Sequence, residues 1–304
     1  MRPLKIHAEP GGPLAPSFTP AGRGILFCLA AVLLFTLMDS LAKHLSGSYP
    51  PLQVVWARYA GQALLVFVIL LPQGTAVLRT RLPGLQAVRS VLQFGATACF
   101  FMALPHIGLA EATALTDLNP VLITLGAALF LGERIGPRRL AGVVAALIGA
   151  MIVIRPGMGV FQPAALLPLC TAFCYAGFAL VTRVVGERES IWTSLFYTAL
   201  FGTVIASALM PMIWAPVAPR DLWGFAGVGV LGTVAQLCLI RAFTLAPASV
   251  IAPFGYLGLI FASLWGWLFF DQLPDRWTVL GAGIIVAAGL YVWLRESVAG
   301  RKPG

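Results

Sequence analysis

The sequence predicts an all-α polytopic membrane protein with ten transmembrane helices, arranged as two inverted five-helix repeats. Three observations carry that expectation. Apolar runs recur from Ile25 to Leu294 with short gaps, charged residues are scarce, and the two halves of the chain repeat one pattern. Of the 304 residues, 59% are hydrophobic and 10% are charged. Soluble domains carry roughly 25% charged residues, so most of this chain is not built to face water.

A spanning helix needs about 20 mostly apolar residues. Ten stretches qualify: 25–45, 53–71, 86–105, 109–131, 139–154, 163–183, 190–211, 222–241, 248–270 and 276–294. Pro and Gly punctuate the boundaries, as at Pro50–Pro51, Pro83–Gly84, Pro156–Gly157 and Pro274, where they break or cap regular structure. Residues 1–22 are rich in Pro and Gly and lack apolar periodicity, which predicts a disordered cytoplasmic tail. The run after it is long for a signal-peptide core and lacks a clear cleavage site, so it is read as a retained first helix. Residues 297–304 are a second short tail.

Lys and Arg set orientation, because cytoplasmic loops are enriched in them. Fourteen of the twenty fall on one side, among them Arg23, Arg79, Arg81, Arg134, Arg138, Arg188 and Arg241. Arg155, Arg220 and Arg276 fall on the other, and Lys43, Arg58 and Arg89 lie inside spans. This segregation predicts an even number of spans, with both termini in the cytoplasm and the protein in the cytoplasmic (inner) membrane.

The repeat appears where the halves end. LFLGERIGPRRLAGVVAALIGAMIVI, residues 129–154, parallels LFFDQLPDRWTVLGAGIIVAAGLYVW, residues 268–293, at an offset of 139. Each is an apolar run, an acid (Glu133, Asp271), a Pro-containing turn, a basic residue and a Gly-rich span. Pro72 and Pro211 match at the same offset, and Lys43 and Arg183 match within one residue. The units predicted are 23–155 and 160–296. Five is odd, so the second unit enters the membrane from the opposite side, an arrangement frequent in secondary transporters.

Charges near the bilayer centre cost about 2.5–3.5 kcal/mol on insertion scales and call for a partner or a cavity. Asp39 and Lys43 lie four apart and share a helix face. They are either a self-neutralising pair or a solute or proton site. Arg58 is near a span end, where a structural role suffices, and Arg89 either snorkels or offers charge to a cavity. The fourth span holds the densest polar group: Glu111, Thr113, Thr116, Asp117, Asn119 and Pro120. The ninth holds Pro253, Gly255, Tyr256 and Gly258. One interrupted span in each half points to a central site; kinks that merely aid packing are the alternative. Gln93, Tyr175, Tyr197 and Gln236 add polar groups in spans 3, 6, 7 and 8. The substrate-cavity candidates are Asp39, Lys43, Arg89, Gln93, Asp117, Asn119, Pro120, Tyr175, Gln236, Pro253 and Tyr256.

Other classes find little support. The net charge of +9 reflects basic span ends, and no nucleic-acid motif accompanies it. Cys28, Cys99, Cys170, Cys174 and Cys238 lie in apolar runs without CxxC or a His cluster, so no metal and no cofactor are expected. HExxH, GxSxG and a glycine-rich lysine loop are absent. Gly142, Gly149, Gly281 and Gly289 are read as close-packing positions.

Three stretches together resemble the EamA-type family of the drug/metabolite transporter superfamily over roughly residues 24–297. They are LMDSLAKHLSGSYPPLQVVWARY, GLAEATALTDLNPVLITLGAALFLGERIGPRRLAGVV, and RAFTLAPASVIAPFGYLGLIFASLWGWLFFDQLPDRWTVLGAGIIVAAGLYV. The MDSLAK stretch is similar to a bacterial branch that includes S-adenosylmethionine carriers. In the second half, Asp271 falls one position from the family's usual acid, with Gln272 in its place. The resemblance implies two inverted repeats around a central cavity and transport of a small solute. The expected function is alternating-access transport of a small polar organic metabolite, an amino acid or a relative bearing an amino-acid group. Its partners are that solute and the lipid bilayer, with no nucleic acid. Proton coupling and oligomeric state stay open, as do a passive channel and a membrane-embedded enzyme.

Overall fold

The computed structural model describes residues 20–71, 79–131, 136–155, 163–185, 188–246 and 248–299. The expected tails at 1–19 and 300–304, Glu133 and Arg134 of the LGER turn, and Pro72 lie outside the described residues. Helix α1 opens at Pro20, within the stretch read as a tail, and the last helix runs on to Ala299.

Among the described residues twelve α-helices follow one another: α1 (Pro20–Ser46), α2 (Pro51–Leu70), α3 (Pro83–Ala103), α4 (Leu109–Thr116), α5 (Asn119–Leu131), α6 (Pro137–Ile154), α7 (Leu166–Val185), α8 (Ile191–Ile213), α9 (Leu222–Leu245), α10 (Ala248–Gly255), α11 (Leu257–Phe270) and α12 (Arg276–Ala299). The pairs α4–α5 and α10–α11 are each one span broken in the middle, so the twelve helices make ten rods. There is no strand among the described residues. Among the described residues seven stretches are long and apolar enough to cross a membrane, and Leu140–Ile154 and Arg276–Val292 are shorter apolar helices.

Local chemistry explains the helix starts. Pro51, Pro83 and Pro137 open α2, α3 and α6, where a missing N–H costs nothing. Ser190 caps α8 by accepting the N–H groups of Trp192 (3.1 Å) and Thr193 (3.4 Å). Asp275 caps α12 by accepting the N–H of Thr278 at 2.8 Å. Outward faces carry large apolar side chains such as Leu129, 78% exposed, and Met212, 84% exposed. So many exposed apolar groups suit lipid rather than water.

The helices pack in a pattern that exchanges the two halves. Helix α1 lies on α9 and α3 lies on α7; these are the same contact with the halves swapped. The same exchange relates α2 on α9 to α8 on α3, and α1 on α11 to α7 on α5. The pairs α2·α8 and α6·α12 map onto themselves. Gly149 and Gly281 make the last pair possible, because a Cβ on Gly149 would stand 2.8 Å from the Gly281 carbonyl oxygen. The packing expected of these two glycines is thus present.

Polar ties join the halves at both ends of the bundle. At one end, Tyr49 donates to Asp221 Oδ2 (2.7 Å) and accepts from the Ala218 N–H (3.0 Å). Gln53 clasps the Ala215 backbone from both sides, at 2.8 and 3.0 Å. At the other end, Glu189 Oε1 accepts from the Thr80 hydroxyl (2.8 Å) and from the N–H groups of Arg81 (2.6 Å) and Leu82 (3.1 Å). Tyr49 and Glu189 each precede the second span of their half, and each grips the loop between the second and third spans of the other half.

Candidate functional site

Both interrupted spans expected from the sequence are interrupted in the structure. Pro120 has no N–H to return to the Thr116 carbonyl. The chain turns at Asp117 and Leu118, and the N–H groups of Val121 and Leu122 both go to the Leu118 carbonyl at 3.1 Å. In the second half Pro253 lies inside α10. The Tyr256 N–H reaches back three residues to the Pro253 carbonyl at 3.3 Å, and the helix restarts at Leu257. Pro120 follows its break and Pro253 precedes its own. The prolines differ, but the breaks fall at matching places.

The breaks bring unpartnered polar groups into the interior. Asp117 Oδ2, Asn119 Oδ1 and Tyr256 OH are buried and make no hydrogen bond among the described residues, and the same holds for Gln93 Oε1 on α3. An unmet buried polar group typically costs about 1–3 kcal/mol. Helix α4 packs on α11, and Tyr256 lies within electrostatic range of Asp117. The Tyr256 ring end rests directly on Gly289 of α12; a Cβ there would collide with the hydroxyl. Gly289, read from the sequence as a helix-packing position, leaves room for the end of the Tyr256 side chain.

The intramembrane cations behave differently from one another. Lys43 turns away from Asp39. Its ammonium donates to the carbonyls of Leu104 (2.5 Å) and Ile107 (2.6 Å) at the end of α3 and sits 5.5 Å from the Phe270 ring centre. The self-neutralising Asp39–Lys43 pair does not form; the ammonium goes instead to carbonyls at a helix C-terminus, where the helix dipole favours a cation. Asp39 is half-buried, makes no hydrogen bond or ion pair within 4 Å among the described residues, and feels the charge of Arg58. Arg58 donates to the Thr97 hydroxyl and lies over the Tyr59 ring, with its Nε unpartnered.

Arg89 is fully engaged rather than snorkelling. Its Nε donates to Thr182 (2.8 Å) and its Nη1 to the Ser194 carbonyl and the Thr198 hydroxyl (both 2.9 Å), while Phe178 stacks at 4.7 Å. It joins α3 to α7 and α8. Tyr175 packs its ring on Phe178 at 5.6 Å. Gln236 is half-buried on α9, without a hydrogen bond among the described residues.

Sequence reading passed over Tyr59 and Thr97. The Tyr59 hydroxyl meets Thr97 Oγ1 at 3.0 Å and the Gln93 carbonyl at 3.1 Å, which ties the Arg58 and Gln93 neighbourhoods together. Glu111 of α4 lines a separate cavity of about 360 Å³ at the end of the bundle, with Gly108, Arg155, Asp271, Gln272 and Asp275. There Arg155 and Asp275 pair at 2.7 Å. Partial burial opposes the charge on Asp275, but Thr278 and the Arg155 guanidinium outweigh it and hold the carboxyl below the usual carboxylate range. Among the described residues no group of three or more His, Cys, Asp and Glu could hold a metal ion.

A family profile described as the EamA-like transporter family matches the chain twice, at residues 22–155 and 162–294. The chain belongs to the EamA-like transporter family. This EamA-like protein is therefore a multi-pass membrane transporter and not an enzyme. It is 32% identical to the pseudopaline exporter CntI of Pseudomonas aeruginosa, over 87% of this chain and 94% of that one. It is 31% identical to a riboflavin transporter of Rhizobium johnstonii, over 92% and 94%. It is 23% identical to an S-adenosylmethionine uptake transporter of Rickettsia prowazekii, over 90% and 93%. A solved crystal structure with 19% identity matches with a TM-score of 0.63, covering 91% of this chain and 98% of that chain, and shows the shared fold.

Proposed function

We propose that this EamA-like protein is a secondary carrier that moves a small polar organic metabolite, an amino acid or a compound bearing an amino-acid group, across the cytoplasmic membrane. It works by alternating access between two inverted five-helix repeats, residues 23–155 and 160–296, with both termini in the cytoplasm. The observation that carries the reading is the set of buried, unpartnered polar groups at the two helix breaks: Asp117, Asn119 and Tyr256. Polar atoms kept bare in a membrane interior are costly, and a solute that supplies their missing partners offsets the cost. Asp39, with Arg58 opposite it, Lys43, Arg89, Gln93, Tyr175, Gln236, Pro120 and Pro253 complete the proposed cavity wall or support it. The mixture of acids and bases suits a zwitterion. The exchange symmetry of the helix packing and the doubled family match support the repeat; its inversion follows from an odd number of spans per unit.

The substrates named for the relatives differ from one another: pseudopaline, riboflavin and S-adenosylmethionine. Reconstitution in liposomes decides between a carrier and a passive channel. A carrier gives saturable uptake that unlabelled solute on the far side accelerates. Flux that rises linearly with concentration and shows no such acceleration means a channel.

A further inference from the structure

We infer that Asp117 Oδ2, Asn119 Oδ1 and the Tyr256 hydroxyl together form a subsite for a primary ammonium group of the solute. This rests on the carrier reading above and names the chemistry that one part of its cavity selects. A primary ammonium presents three N–H donors and no acceptor. The subsite presents three unpartnered oxygens, each able to accept, from two helix breaks that face each other across the α4·α11 contact.

Charge separates Asp117 from the other acids of the spans. Asp39 feels Arg58, and Glu111 feels both Arg155 and Lys43. Among the described residues no Lys, Arg or His pairs with the Asp117 carboxylate within 4 Å, and Tyr256, from the other half, lies within electrostatic range of it. The position makes the deficit worse. Asp117 caps the C-terminal end of α4, where the helix dipole already favours a cation. A bare carboxylate in an apolar interior takes up a cation or a proton. Asn119 and Tyr256 favour the cation. Their two further oxygens complete the coordination of an ammonium, whereas a single proton on Asp117 leaves at least one of them unmet. Gly289 holds the opening into which the Tyr256 hydroxyl projects, so the hydroxyl is positioned by packing and needs no bond to the protein.

The test uses the full chain purified in detergent and reconstituted in liposomes. The ammonium-bearing probes are L-methionine, its decarboxylated amine and S-adenosylmethionine. The amine-free probes are the deaminated acid of methionine and riboflavin. Thermal stabilisation and competition in uptake are read for the wild type, Asp117→Asn and Tyr256→Phe. We expect one or more ammonium-bearing probes to bind the wild type and the deaminated acid to bind at least about tenfold more weakly. Asp117→Asn should lose about tenfold or more in affinity for the ammonium probe, and Tyr256→Phe, which removes one oxygen and keeps the ring, several-fold. If Asp117 serves a proton alone, Asp117→Asn keeps its ammonium affinity while transport loses its pH dependence, and the subsite is overturned. Should Asp117→Asn fail to fold, unchanged affinity in Tyr256→Phe overturns it equally. Saturable riboflavin transport with no response to any ammonium probe overturns the subsite and leaves the carrier standing. No saturable flux of any probe and no stabilisation by any overturns both.

Discussion

Asp117 and Tyr256 differ by 139 in residue number, sit one at each helix break, and lie within electrostatic range of each other. The offset is the one that relates LFLGER to LFFDQL. The two halves therefore meet at positions related by that offset, and those positions carry different chemistry: a carboxylate in one half and a phenol in the other.

The prolines shape these breaks from opposite sides, so their removal should not be equivalent. Pro120→Ala restores an N–H that can reach Thr116 and join α4 to α5. Pro253→Ala restores one turn of α10 but leaves the Gly255–Tyr256 step. We expect Pro120→Ala to lower transport about tenfold, corresponding to about 1.4 kcal/mol, with little loss of thermal stability. Pro253→Ala should lower it less. Full activity in both variants returns the prolines to packing.

Asp39 and Lys43 should behave as independent residues. Lys43→Gln leaves two carbonyls with a poorer partner and should cost about 1–3 kcal/mol. Asp39→Asn should fold normally. Because no ion pair joins the two, the double variant should show the sum of the single effects within about 0.5 kcal/mol. Restored stability in the double variant would show that they do pair.

Arg89 holds three oxygens of the other half. Arg89→Ala removes three buried hydrogen bonds that tie α3 to α7 and α8 and should destabilise the protein by about 3 kcal/mol. Arg89→Lys cannot reproduce the fork of donors and should recover less than half of that. Thermal unfolding in detergent measures both.

Topology can be mapped with cysteines placed in a cysteine-free background. In intact cells an impermeant thiol reagent should label Arg220→Cys, whose native side chain is 87% exposed, and should miss Gly136→Cys beside the basic residues 138–139. Labelling of Gly136→Cys reverses the orientation.

The Arg155–Asp275 pair gives a pH dependence of definite sign. The folded pKa of Asp275 is lowered, so its contribution is complete above the unfolded value of about 3.9 and is lost as pH falls through the folded value. The pair is part-exposed, so the effect is small, under about 1 kcal/mol. Asp275→Asn keeps a good helix cap and removes the charge. Its stability deficit at pH 7 should shrink as pH falls below about 4.

Much of the fold was legible because the membrane imposes its pattern on the sequence one span at a time. Leu257–Phe270 and Gly22–Ser46 announce themselves by hydropathy, and the breaks by Pro120 and Pro253. The direction in which each side chain turns was less legible. Four residues of spacing put Lys43 beside Asp39 on one helix, but the decision lay with the Leu104 and Ile107 carbonyls some sixty residues away. The bonds of Arg89 were not legible because its partners Thr182, Ser194 and Thr198 are ordinary polar residues in the other half. Tyr59 and Thr97 escaped notice for the same reason: each is unremarkable alone, and their meeting depends on how α2 and α3 cross.

The engagement of Arg89 has a consequence for how the protein is made. Helix α3 is absent from the stretches apolar enough to cross a membrane on composition alone, and the oxygens that accept from its guanidinium lie 93 to 109 residues downstream. At about 5–20 residues per second of synthesis, the ribosome takes roughly five to twenty seconds to deliver them. During that interval Arg89 lacks the Thr182, Ser194 and Thr198 oxygens that hold it in the folded protein. The seat of this side chain exists only after α7 and α8 have emerged, so a nascent chain arrested before residue 182 carries a third span whose arginine has none of its final hydrogen-bond partners.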